Sequence, residues 1–255
     1  MSPAPITDVP TLDGRVVLVT GAARRIGAAV AATQHRAGPR VAVHYPSSAA
    51  DADALVASLN ATRPDSAAGF RADLLATAGL PELVSRVIAW AGRLDALVNN
   101  ASSFYPTPVG AIDEAAWDDL VGINLKAPLF LAQAAAPWLA EARGSIVNVV
   151  DIHARRPLRA HSVYGVAKAG LAMLTRALAK DLAPAVRVNG VSPGAILWPE
   201  SGMSAEVQQA ILGQIPLGRA GEPADIAGCV LYLVRDARYV TGEIIAVDGG
   251  RSIGW

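Results

Sequence analysis

The chain has 255 residues and a single cysteine, Cys229. One thiol excludes an intrachain disulfide and any cysteine cluster for a metal, so no metal is expected. Its helical, apolar surroundings suit a small core residue. There is no excess of charge of either sign: 22 basic side chains face 22 acidic ones, for a formal net charge of zero. That balance removes the electrostatic footprint of a nucleic-acid binder. No apolar run reaches the roughly 18 residues needed to span a bilayer, so no membrane association is expected. The opening M-S-P-A-P-I-T-D-V-P-T-L-D-G has neither a basic stretch nor an apolar core, unlike a secretory signal. Residues 1–13 are expected to be a loose tail, and the setting cytoplasmic. Internal repeats, low-complexity tracts and a second domain are also missing.

What is abundant is apolar surface. Hydrophobic residues make up 52% of the chain and charged ones 17%, enough for one large core or for buried subunit contacts. Short β-branched runs alternate with Ala-rich helical stretches. Strands are expected over 16–20, 41–45, 68–74, 94–101, about 146–150, 187–193 and 243–247. Helices are expected after Gly21, over 51–61, 80–90, about 113–142 (broken near 124–128 or at Pro137), around Tyr164 and over 222–234. Strand–helix alternation implies right-handed crossovers and a single α/β domain over 14–255: a Rossmann-type, doubly wound parallel sheet of about seven strands with helices on both faces. The stretch 195–216 shows no clear buried face and is a candidate substrate loop.

Polar residues gather where these strands end, which is where ligands of open α/β sheets bind. After the first strand, G-A-A-R-R-I-G opens a helix. Free backbone N–H groups and the positive end of the helix dipole there make an anion site. The second strand ends H-Y-P-S-S, with no acid before Asp51. Without a carboxylate for a ribose 2′-hydroxyl, and with hydroxyls and a potentially cationic His44, this end suits a 2′-phosphate. Asn124 lies inside an apolar helix, where an unpaired amide would be costly.

The organising stretch is 146–171. A buried strand runs into Asp151, and a helix then carries Tyr164 and Lys168 four residues apart, on one face. A cation beside a phenol favours the phenolate, so Tyr164 is expected to have a lowered pKa and to exchange protons near neutral pH. A lone Y-x-x-x-K would be equally at home on a solvated helix. Here it stands with T-G-x-x-x-R-I-G, A-D-L, N-N-A, Asn124, S-P-G and V-T-G-x-x-x-x-V-D-G-G.

In that order and spacing the chain resembles the short-chain dehydrogenase/reductase family from about Leu12 to Trp255. It is similar in particular to the pteridine reductases: Arg25 replaces the turn's middle glycine, N-N-A-S-S-F-Y-P-T-P replaces N-N-A-G, Asp151 replaces a serine, and H-Y-P-S-S-A-A follows the second strand. The resemblance implies NADPH as cofactor. Gly21, Arg25, Ile26 and Gly27 would line its pyrophosphate, and His44, Tyr45, Ser47 and Ser48 its 2′-phosphate. Asp73 and Leu74 would meet the adenine. Asn100, Ala101 and Ser102 would meet the ribose and nicotinamide side, and Pro193 and Gly194 the carboxamide. Lys168 would hold the nicotinamide ribose and tune Tyr164. Asp151, Tyr164, Lys168 and Asn124 would form the catalytic set. A pterin or folate would lie between nicotinamide and Phe104, with Ser102, Arg25, Asp151 and Tyr164 as its polar contacts. Ser47 stands where protozoan relatives carry arginine, and A-I-L-W-P-E after Gly194 lacks their hydroxyl. Relatives of this kind are usually homotetramers. The alternatives are a general keto reductase of oxoacyl thioesters or sugars, and a non-catalytic NADP-sensing module.

Overall fold

The computed structural model describes residues 11–198 and 202–253. The loose tail expected over 1–13 falls mostly outside them. The strands are β1 (Val16–Val19), β2 (Arg40–Tyr45), β3 (Ala67–Arg71), β4 (Ala96–Asn99), β5 (Ser145–Val149), β6 (Arg187–Pro193) and β7 (Ile244–Val247). They form one parallel sheet in the order β3-β2-β1-β4-β5-β6-β7. All four residues of β1 are buried, as are those of β4. Helices cover both faces, so their Val and Leu side chains have no wet side.

On one face α1 (Arg25–Arg36) lies against α8 (Pro223–Arg235) and packs Val30, Ala31, Ile226 and Val230 onto Val17, Val19, Val41 and Val98. On the other, α3 (Leu80–Ala91) and α5 (Ala127–Glu141) pack Leu83, Val87, Leu131 and Leu139 onto Val16, Leu18, Leu97 and Ile146. The helix α2 (Ala49–Thr62) follows β2, and α6 (Ser162–Asp181) carries Tyr164 and Lys168. In the stretch expected to be a substrate loop, α7 (Ala205–Leu212) buries none of its residues.

Three differences from expectation bear on the site. β3 stops at Arg71 rather than Leu74, because the Asp73 carboxylate accepts the Leu75 N–H at 2.9 Å and turns the chain. β4 stops at Asn99, because Asn100 is drawn into the turn after β1. The helix expected to break near 124–128 or at Pro137 runs on through both places. From α4 (Glu114–Val121) it widens into a π-helical turn over Gly122–Lys126 and continues as α5, with Pro137 inside it. Neighbouring strands reverse their chain order between β1 and β4, and a crevice opens beyond their carboxyl ends.

Candidate active site

The turn after β1 is held by its neighbours. Thr20 Oγ1 accepts the N–H groups of Asn100 (2.9 Å) and Ala101 (3.0 Å), and the Asn100 amide donates to the carbonyls of Thr20 (2.9 Å) and Gly21 (3.1 Å). A Cβ on Gly27 would collide with Gly21 O and Asn100 Nδ2, so only glycine permits this approach. Arg25 has φ +54°, a left-handed backbone that glycine adopts freely and that costs a side chain about 1 kcal/mol. The arginine is thus kept at a position suited to glycine, and strain of this kind gathers at functional sites. One Arg25 N–H reaches the carbonyl of Trp198 at 3.2 Å, across the crevice.

A cavity of about 410 Å³ runs from this turn to the ends of β2 and β4. It brings together most of the residues expected to hold a dinucleotide, from Ser47 and Ser48 at one end, past Asp73 and Leu74, to Ala101 and Ser102 at the other. The turn's glycines and the amino end of α1 suit a pyrophosphate. Arg24 also lines it; the sequence reading passed over this residue because Arg25 carried the motif. Pro193 and Gly194 lie elsewhere, at the end of β6, where Gly194 N–H donates to Val247 O at 3.1 Å.

His44 departs from expectation. It is fully buried, and both ring nitrogens are engaged. The Gly21 N–H donates to Nδ1 at 3.1 Å, which places the proton on Nε2, 3.1 Å from Ala72 O. Burial lowers its pKa to about 4. A neutral imidazole cannot serve a phosphate as a cation; His44 instead braces the turn that would hold one.

The second half of the site lies beyond β5. Tyr164 O–H donates to Asp151 Oδ2 at 2.7 Å, while Asp151 Oδ1 accepts the His153 N–H at 2.8 Å. The carboxylate therefore starts the helical turn 152–154 and grips the phenol together. Lys168 is buried and donates to Val149 O at 2.9 Å; its Nζ lies 5.7 Å from the centre of the Tyr164 ring. The expected lowering of the Tyr164 pKa is reversed. Burial, and then the charge of Asp151 and its hydrogen bond, raise it well above the ordinary phenol value, with Ser102 acting the other way. Burial also lowers Lys168 to about 8, against the pull of Asp151. The phenol holds its proton, and of the two groups the amine is the one that titrates nearer neutrality.

Asn124, wholly buried in the π turn, has its amide satisfied. Nδ2 donates to Leu120 O and Ser103 O, each at 2.9 Å, and Oδ1 accepts from Ser102 Oγ at 2.7 Å. It ties the π turn to the loop after β4. Phe104, half exposed, lies edge-on to the Tyr164 ring with centroids 4.8 Å apart. It also stacks on His161 at 4.7 Å, a partner the sequence reading missed because the two lie 57 residues apart in the chain. Its neighbour Tyr105 donates to Asp119 Oδ2 at 2.9 Å.

A family model described as enoyl-(acyl carrier protein) reductase matches residues 21–252. Pteridine reductase 1 of Leishmania tarentolae is 42% identical over 280 aligned residues, covering 93% of this chain and 96% of that protein. The chain is a short-chain dehydrogenase/reductase. Other relatives carry ketone-reductase names. The putative ketoacyl reductase 2 of granaticin polyketide synthase from Streptomyces violaceoruber is 38% identical, over 96% of this chain and 98% of that protein. A 3-oxoacyl-(acyl-carrier-protein) reductase of Staphylococcus aureus is 35% identical, over 91% of this chain and 96% of its own. The chain is thus an oxidoreductase of that family. No helix among the described residues is long and apolar enough to cross a membrane, and none of their His, Cys, Asp and Glu side chains form a group that could hold a metal ion.

Proposed function

We propose that this short-chain dehydrogenase/reductase is an NADPH-dependent reductase of pteridines, acting on dihydrobiopterin-, dihydromonapterin- or dihydrofolate-type substrates. The observation that carries the reading is the 2.7 Å hydrogen bond from Tyr164 to Asp151. A ketone needs only a donor to one developing alkoxide, which a serine and the tyrosine provide. Both reductions take up one hydride and one proton, but a pterin takes its proton on a ring nitrogen instead of an alkoxide, and a carboxyl group bonded to the tyrosine supports that transfer. The similarity to pteridine reductase 1 supports the same reading.

The cofactor would supply the hydride. Gly21, Ile26 and Gly27 would cradle its pyrophosphate, and Arg24, Tyr45, Ser47 and Ser48, with no carboxylate among them, its 2′-phosphate. Lys168 has N–H groups left over from Val149 O for the ribose hydroxyls. Phe104 would cover the pterin, moving off His161 or carrying it along, while Arg25 and Ser102 meet the polar edge. Tyr164 would deliver its proton to the ring nitrogen, and Asp151 would return one from water.

Steady-state NADPH oxidation with a panel of pterins and folates tests the reading. Turnover of at least one is expected; none at high enzyme concentration would overturn it. Retained turnover of ketones or oxoacyl thioesters in its place would favour the keto-reductase reading, which the ketoacyl relatives support. Binding of NADPH without oxidation by any substrate would identify a sensor. We also propose a homotetramer. Leu129, Phe130 and Trp138 of α5 and Val166 and Met173 of α6 are exposed apolar side chains, a surface suited to a second copy. Light scattering that gave a monomer of 26.3 kDa would refute it.

A further inference from the structure

The amino ends of the strands hold a second cavity of about 630 Å³, at the opposite edge of the sheet from Asp151 and Tyr164. It opens where β1, β4, β5 and β6 begin. Its charged lining is five arginines, Arg15, Arg143, Arg187, Arg235 and Arg238, against one carboxylate, Asp95.

That carboxylate is already committed. Arg93 grips it with two bonds (2.8 and 2.6 Å), Arg15 adds a third at 3.3 Å, and the Val16 N–H a fourth at 2.9 Å. Arg235 is matched by Asp236 at 2.8 Å. Arg187 is not matched by any acid. Its guanidinium donates to three carbonyls at the end of α8, those of Leu233, Val234 and Ala237, and burial lowers its pKa. Among the described residues, the side chains of Arg143 and Arg238 make no hydrogen bond or ion pair.

Arg143 is also held where its backbone is unsuited to a side chain. It follows α5 with φ +48°, the left-handed position at which helices favour glycine. An arginine there works against the helix stop and places an uncommitted guanidinium on the cavity. The rest of the lining is aliphatic or small and polar, with no aromatic side chain on which a nucleobase could stack.

We propose that this cavity binds a small, multiply charged oxyanion of the polyphosphate class, with Arg143 and Arg238 as its main contacts and Arg187 behind them. The site is separate from the cofactor cavity and does not depend on the pterin reading.

Isothermal titration of the full chain with tripolyphosphate, at ionic strength held constant with chloride, tests it. Wild type is expected to bind. Arg143→Glu combined with Arg238→Glu should lower the affinity about a hundredfold, on the scale of two charge-assisted contacts. Arg143→Gly should lower it about tenfold while leaving Tm equal to or above wild type, since glycine relieves the left-handed backbone. A loss with that variant cannot be ascribed to unfolding. Arg25→Glu, in the cofactor turn, should leave tripolyphosphate binding in place. Undetectable binding to wild type, equal affinity in the double variant, or a loss that follows Arg25→Glu would each overturn the proposal.

Discussion

The ends of β2 and β5 each bury a basic side chain, and the two have opposite fates. His44 is sealed, with a donor on one nitrogen and an acceptor on the other, and a pKa of about 4. Lys168 is equally buried, yet its one bond within the chain is to Val149 O, and its pKa stays near 8. Burial alone therefore does not separate scaffold from chemistry. What separates them is the hydrogen-bonding capacity left over. The imidazole has none, and the ammonium keeps N–H groups that no described residue engages. Asp151 stands between these cases, with one oxygen in a backbone turn and the other on the phenol.

The sharpest way to break this contrast is at Asp151. Asp151→Ser keeps a turn-capping oxygen but cannot pass on a proton, and pterin turnover should fall by about 10²-fold or more. Asp151→Asn should do the same, with NADPH affinity nearly unchanged in both. Near wild-type kcat in both variants, measured with the best pterin, would reduce Asp151 to a helix-starting residue.

The second test reads Lys168 through pH. Because the phenol is raised and the amine lowered, the limb near neutrality belongs to the amine. Above about pH 8 the ammonium is lost, and kcat/KM should fall about tenfold per pH unit. A profile flat to well above that pH would remove Lys168 from the chemistry.

At His44 the effect should be on stability instead. Its native pKa of about 4 lies below the ordinary 6.5, so the unfolded chain takes up the proton first. The stability from the neutral ring is complete above pH 6.5 and drains away as pH falls toward 4, by about 3 kcal/mol. In His44→Gln, urea unfolding at neutral and acid pH should show that slope flattened. A remainder is expected from His35, whose pKa is lowered by burial and by Arg63. An unchanged slope would place the acid sensitivity elsewhere.

The mildest change is Ser47→Arg. Ser47 is exposed, so an added guanidinium at the 2′-phosphate end should tighten NADPH only about fivefold. Fluorescence titration measures this, and a wild-type preference for NADH would contradict the reading of the β2 end.

Much of this was legible in the sequence. Strands buried on both faces, such as β1, β4 and β5, announce themselves as apolar runs, and the partly buried β3 and β7 also show in the sequence. The lengths of β3 and β4 do not, because Asp73 and Asn100 take up backbone partners that a one-dimensional pattern does not show. The motif residues were placed at the right strand ends. Their electrostatics were misjudged where the outcome depended on what surrounds a group: His44 reads as a cation until its two partners are seen, and Tyr164 reads as an activated phenol until burial and the neighbouring carboxylate are weighed against a more distant ammonium. The Phe104–His161 stack needed the third dimension altogether.

The π turn at Gly122–Lys126 has one more consequence. Such a turn adds a residue to the helix, so it acts as a phase shifter, rotating everything downstream by about 100°. Leu131, Ala135 and Leu139 face the sheet, and Phe130 and Trp138 face outward, only in that phase. Deleting a single residue from the turn would wind it back to α geometry, swing the outward aromatics around the helix and withdraw Asn124 from Ser102 in the same stroke. The address of the amide in the crevice and the outer face of α5, many residues further on, are thus written by one insertion and cannot drift independently.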